Sequence, residues 1–429
     1  MRRTSAISWT LAAAAVLAAA AFGWFDVRSR ARLDRGLSRH RTDFTVYTAA
    51  SEALFAGADP YEAKSPRGWR YVYPPLLAIV VRPLLALPVP DAALVWYVLS
   101  IVALGAAVRG LVRAIGPPRA TRAVAGACLV GAGFLVQTLQ RGQVTIFLLA
   151  LQVGALGCLL RRRDARAGLL LALGVALRLT PLLPAGMVGL AVLLRARREG
   201  LAATVRFPAG LVVGLVLAFV AVPALALGPA RAAEVTKRWV ASTRAVYADG
   251  PGQLADLKRD YDVNEWSFKN QGVRRVAGTV TAWVTGAAVA DDGEPALGSR
   301  LGAVDAVALG VGGLAALLAV ALALRWMGDP TSAAFRRAYA IGILLPFFVT
   351  RYAWPIHAVL AIPFLAECLA SPRRAWSLAS AAVALGATGF FYAAHAPSLH
   401  VLGDAGVLLL GLALAVGLAV ARGPTDPVP

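Results

Sequence analysis

Asp43 and Tyr47 sit four residues apart in a polar stretch, Arg41 to Pro75, that reads RTDFTVYTAASEALFAGADPYEAKSPRGWRYVYPP. On a helix that spacing puts the carboxylate and the phenol on one face. A lone carboxylate beside apolar surroundings has its pKa raised toward working pH, and it can then take a proton from a hydroxyl as a general base. The plainer alternative is an aspartate that caps a helix or faces lipid headgroups. Further along, Asp59 and Tyr61 fall in a Gly-Ala-Asp-Pro-Tyr turn, and Trp69, Tyr71 and Tyr73 precede Pro74-Pro75. These are candidate substrate contacts, with the aromatic rings able to stack on a sugar. An aromatic belt at a membrane interface explains the rings equally well.

The cations are the second group. Arg178 stands in ALRLTPLLP, just before Thr180-Pro181. A guanidinium at a helix break can hold a phosphate through paired hydrogen bonds and full charge, or it can snorkel to the interface. Arg141 with Gln143 in LQRGQVT, and Arg351 with His357 in TRYAWPIHAVL, make two further donor clusters. Of the four histidines, His357 alone lies inside an apolar segment; a buried histidine is often structural, and here a phosphate or leaving-group role competes with that reading. Asn264 and Ser267 belong to a mixed polar and aromatic run, Tyr261 to Phe268, able to cover a substrate site or to form a solvated helix. No Walker loop, GxGxxG, HExxH or DxD-like pair appears, so neither a metal nor a cofactor is expected, and a nucleotide-sugar enzyme is disfavoured.

The elements that must carry these residues are apolar. The chain has 429 residues, 59% hydrophobic and only 15% charged, with a mean hydropathy of +0.66. That composition excludes a soluble domain and fits a multi-pass membrane protein, all-α, in one domain spanning 1–429. The net charge of +20 comes from arginines lying between apolar runs, where they set topology and meet lipid headgroups; no nucleic-acid partner is expected. Cys128, Cys158 and Cys368 lack any metal or disulfide spacing.

Ten to thirteen hydrophobic segments are expected, near 5–25, 74–88, 91–113, 121–139, 144–160, 166–180, 182–194, 205–227, 301–325, 335–350, 353–370, 374–394 and 400–421. The run 74–88 holds Arg82 and ends at Pro88, so it reads as a re-entrant or broken helix, as does the pair around Pro181. Phe22, Trp24 and Phe25 occupy the place of a signal-peptide cleavage site, which predicts an uncleaved first span. The arginine bias puts Arg2-Arg3, Arg195–Arg198, Arg325, Arg336-Arg337 and Arg373-Arg374 inside. Two outer loops follow, 26–73 and 228–300, the second a long polar connection with flexible turns at Asp249–Gln253 and Asp291–Arg300.

Taken in order, DFTVYTAASEALFAGADPY, YVYPPLLAIVVRPLLALP, RGQVTIFLL, GLLLALGVALRLTPLL, NEWSF and the late arginine-histidine cluster resemble glycosyltransferase family 87, the polyprenyl-phosphate-mannose-dependent mannosyltransferases of the GT-C fold. The resemblance implies an inverting, metal-independent transfer of a hexose, mannose in that family, from a polyprenyl-phosphate-sugar donor to a glycolipid or glycan hydroxyl. It further implies a multi-pass protein of the plasma membrane with its active site on the extracytoplasmic face and Asp43 as base. Arg178 stands where the family usually has lysine, Thr145 where it has asparagine, and Asn264-Glu265-Trp266-Ser267 where it has an NQS-like triplet. The reading from another class is a transporter or flippase of lipid-linked or small polar substrates, which also uses broken helices and intramembrane arginines.

Overall fold

The computed structural model describes residues 17–37, 39–247, 270–289, 294–350, 353–372, 374–395, 398 and 400–421. Arg351, Asn264, Ser267 and the Asp249–Gln253 turn lie outside these residues. Among the described residues the chain is helical, with isolated bridges at Lys64–Arg70 and Val289–Pro295 as its only strand-like pairings.

Helix α1 (17–30) contains a π-helical turn at Gly23–Val27 and leads to α2 (Phe44–Phe55), which lies in the first polar stretch. Next come α3 (Pro75–Ala86), the long α4 (Val89–Ile115), and the pair α5 (Ala120–Val130) and α6 (Ala132–Arg141), bent by 65°. Helices α7 (Thr145–Leu159), α8 (Asp164–Leu177), α9 (Leu182–Glu199) and α10 (201–227) follow as an apolar array. Then come α11 (Pro229–Tyr247), α12 (Val273–Thr285), α13 (Gly298–Trp326), α14 (Ala333–Leu344), α15 (Ile356–Ala370), α16 (Arg374–His395) and α17 (Val407–Ala421).

Two expectations are corrected. Residues 228–300 are not one loop, because α11 and α12 occupy most of the described part; their arginines at helical spacing look like loop charges when counted without periodicity. The segment 121–139 is not straight, because the chain bends at Gly131 between α5 and α6.

The re-entrant reading of 74–88 agrees with the geometry. Helix α3 tightens into a 3-10 turn at Arg82 and rises only about 20 Å, less than the roughly 30 Å of hydrocarbon. In contrast α4, α10 and α13 are long and apolar enough to cross. The outward faces of α10 and α13 present Val212, Val216, Val220, Leu309, Leu314 and Leu317, an apolar surface suited to lipid.

Close packing of α8 on α10 depends on glycine. A Cβ on Gly210 would come within 1.9 Å of the Ala165 carbonyl oxygen, and one on Gly168 within 2.3 Å of the Phe207 oxygen. Small residues let helix backbones approach where lipid supplies no hydrophobic drive between them.

Ion pairs gather at the end of the bundle away from Asp43 and His357. There Arg162 pairs with Asp329 at 4.0 Å, and Arg336 donates to Glu367 at 2.9 Å. Arg195 acts on the same Asp329, whose carboxyl is held below its usual range first by its bonds to Thr331. Asp43, Gln143, Tyr73, Arg178 and His357 lie at the opposite ends of their helices.

Candidate active site

Asp43 occupies the N-cap position of α2, yet its side chain does not cap the helix. Thr42 does that work, its Oγ1 accepting from the Phe44 N–H at 3.2 Å. The half-buried carboxylate is therefore available, and Gln143 Nε2 donates to it. The backbone around it is tied down as well, because the Asp43 N–H donates to the Arg141 carbonyl at 2.8 Å. Burial pushes the Asp43 carboxyl up from the ordinary carboxylate range, opposed by the Arg141 guanidinium, the Gln143 bond and Arg67 in that order.

Gln143 reaches Asp43 because α6 ends abruptly. Gly142 takes φ 67°, a left-handed conformation that suits glycine, and its carbonyl accepts from Trp96 Nε1 at 2.8 Å. The turn aims the Gln143 carboxamide at Asp43 on one side and Tyr73 on the other. Tyr73 Oη donates to Gln143 Oε1 over a long 3.4 Å, and its ring meets Tyr47 edge-on at 5.3 Å. Burial, then Tyr73 and Asp43, push the Tyr47 phenol well up, so it stays a neutral hydroxyl.

Tyr73 is also the way into the main cavity, a space of about 670 Å³. Arg178 lies over the Tyr73 ring with its Cζ 5.8 Å from the centroid. The arginine leaves the helix at the end of α8, where its backbone turns extended (φ −166°, ψ 142°) before Pro181. Thr180 shares that break, and His357 enters from the first turn of α15, its ring edge-on to Phe347 at 6.2 Å.

The polar atoms these residues bring have no hydrogen-bond partner among the described residues: Arg178 Nη1, Thr180 Oγ1 and His357 Nε2 are all buried and unpaired. Leaving one such group unsatisfied costs about 1–3 kcal/mol. Three around one cavity can offer hydrogen bonds to an acceptor-rich anion such as a phosphate. Away from them the cavity turns apolar, lined by Leu183, Met187 and Leu190 of α9 and by Ala319 and Val320 of α13.

The remaining expected residues have other surroundings. Arg141 acts on Asp43 rather than lining the cavity. Asp59 Oδ1 accepts from the Tyr61 N–H at 2.9 Å and its carboxylate lies 3.6 Å from Arg238 of α11, so it shapes a turn and ties two elements. Tyr61, fully buried, donates to the Tyr73 carbonyl at 3.3 Å and supports that residue from behind.

Sequence reasoning missed several positions. Thr180, Trp239, Thr243 and Trp354 all line the cavity. Asn270, which the sequence groups with the polar and aromatic run before it, has a structural part: its Oδ1 accepts from the Ala353 N–H at 2.9 Å, while the Gln271 N–H donates to the Ala353 carbonyl at 2.9 Å. That double bond fixes the chain just before Trp354 and His357. Two adjacent carboxamides ahead of a glycine were the available signal, but nothing local says what they hold. Among the described residues no three His, Cys, Asp or Glu side chains gather as metal ligands.

No curated protein matches the chain. Two crystal structures of ArnT from Cupriavidus metallidurans, one bound to undecaprenyl phosphate and one in the apo state, are similar in structure at 16% identity, with TM-scores of 0.42 and 0.41. Each alignment covers 97% of this chain and 78% of that chain. The model of glycosyltransferase family 87 matches residues 71–350, from Tyr71 at the end of the first polar stretch to Thr350, shortly before His357. With well over half its length matched, and with a carboxylate and a set of unpaired cationic and hydroxyl donors brought to one end of a membrane bundle, the chain belongs to glycosyltransferase family 87.

Proposed function

We propose that this membrane glycosyltransferase moves a hexose, mannose as in the family it resembles, from a polyprenyl-phosphate donor to an acceptor hydroxyl on the extracytoplasmic side. The observation that carries the reading is the cavity itself. Its polar end gathers Arg178, Thr180 and His357 with unpaired donors, and its other end is an apolar groove between α9 and α13. A ligand with an anionic head and a long hydrocarbon tail matches both halves. The solved ArnT bound to undecaprenyl phosphate is a protein with such a ligand.

The chemistry follows from the charges. When the bond from the anomeric carbon to the phosphate oxygen breaks, negative charge builds on the lipid phosphate, and Arg178 with His357 stabilises it. Asp43 takes the proton of the acceptor hydroxyl as the new carbon–oxygen bond forms on the opposite face of the sugar. One displacement inverts the anomeric centre. Gln143 and Tyr73 join the two ends, so base and leaving-group site are held through a continuous set of contacts. The arginine-rich end of the bundle faces the cytoplasm by the charge bias of membrane proteins, which leaves Asp43 outside.

Incubating membranes with polyprenyl phosphates carrying different labelled hexoses tests the donor assignment. Transfer of mannose label with inversion is the expected result. Transfer from a nucleotide sugar in the absence of lipid donor contradicts it.

A further inference from the structure

Helix α11 contributes a wall to the cavity that the phosphate chemistry does not use. Trp239 and Thr243 both line it, and at four residues apart they project from one face of the helix. Thr243 Oγ1 is buried with no hydrogen-bond partner among the described residues. Trp239 packs against the same aromatic cluster as Tyr73, the group that surrounds Tyr47 and Tyr71, and its ring lies 5.4 Å from Phe219. It therefore belongs to the Tyr73 side of the cavity and not to the apolar groove between α9 and α13.

The helix is also fastened to the segment beyond the C-terminus of α2. Arg231 donates to the Gly57 carbonyl at 2.9 Å and to the Ala58 carbonyl, and Arg238 reaches Asp59. These ties join α11 to the turn that follows α2, the helix Asp43 begins. A wall tied down in this way suits recognition of a rigid group in the cavity.

Resting on the donor reading above, we propose that Trp239 and Thr243 form the subsite for the hexose ring of the donor. An indole offers a flat apolar face to the C–H face of a sugar, and a free hydroxyl in a closed space selects a ligand that presents a hydroxyl to it. Such a subsite discriminates between hexoses that differ at one carbon. The phosphate and the lipid tail carry no such information.

Binding to the full-length protein in lipid nanodiscs separates the parts, using polyprenyl phosphate and polyprenyl-phosphate-mannose as probes. Thr243→Val, which keeps the volume, and Trp239→Leu each weaken binding of the mannosyl lipid by about tenfold. Both leave binding of the bare lipid phosphate within about twofold. Unchanged affinity for the mannosyl lipid in both variants, or equal losses for the two lipids, overturns the subsite. Failure of the wild type to bind either lipid overturns the donor reading itself, and the subsite with it. Thermal unfolding of Thr243→Val matching the wild type shows that its loss is not one of folding.

Discussion

Thr42 caps α2 in place of its neighbour, and that small exchange leaves the Asp43 carboxylate open to Gln143 and to a ligand. A raised carboxyl pKa has a kinetic signature. The base works only when ionised, so kcat/KM falls as pH drops through the raised value, and the acid limb lies above the roughly 4 of an ordinary aspartate. Removing the positive charge of Arg141 as Arg141→Gln destabilises the carboxylate and moves that limb to higher pH; a shift to lower pH contradicts the assignment. Arg178→Ala raises the donor KM by at least about tenfold with little change in acceptor KM, since its guanidinium faces the cavity and not the Asp43 end. A selective rise in acceptor KM instead removes it from phosphate binding. Arg178 and His357 could be picked out of the sequence because a charge or an imidazole in an apolar run needs a reason, and Asp43 because it stands four residues before Tyr47 in the first polar stretch. Thr180, Trp239 and Thr243 could not, since threonine and tryptophan are ordinary at a membrane edge and only the cavity distinguishes them.

At the level of elements, breaks matter more than spans. The Pro181 break frees Arg178, the left-handed Gly142 turns Gln143 toward Asp43, and the Asn270–Ala353 bridge fixes the approach to His357. Prolines announce such places in a sequence, and both the break at Pro181 and the short α3 were legible from them. The bend at Gly131 was not, because the apolar pattern of α5 and α6 runs through it without a proline. Nor was α11: its charges read as loop until the helix is seen to seat Trp239 and Thr243. The glycine contact of α8 on α10 gives a stability prediction. Gly210→Val drives a side chain into the Ala165 carbonyl and costs about 1–3 kcal/mol, read as a lower midpoint of thermal unfolding in detergent. An unchanged midpoint would show that the two helices can separate without loss.

For the whole molecule, the arginines of the connecting segments give an orientation that can be tested. Arg162, Arg195 and Arg336 gather at the end away from the cavity, so a cysteine at Glu52 reacts with a membrane-impermeant maleimide on intact cells, while one at Asp329 reacts only after the membrane is opened. Composition alone made the all-α membrane build legible. The chain of contacts from Asp43 through Gln143 and Tyr73 to Arg178 at the cavity was not, since it depends on contacts between residues a hundred or more positions apart, as between Asp43 and Gln143. The central claim is that one carboxylate, linked to those unpaired donors through Gln143 and Tyr73, activates the acceptor. The most direct measurement is single-turnover transfer from labelled polyprenyl-phosphate-mannose by wild type and Asp43→Asn, with donor binding followed in parallel. Asp43→Asn is expected to bind the donor as the wild type does and to transfer at least about a hundredfold more slowly; transfer at the wild-type rate contradicts the claim.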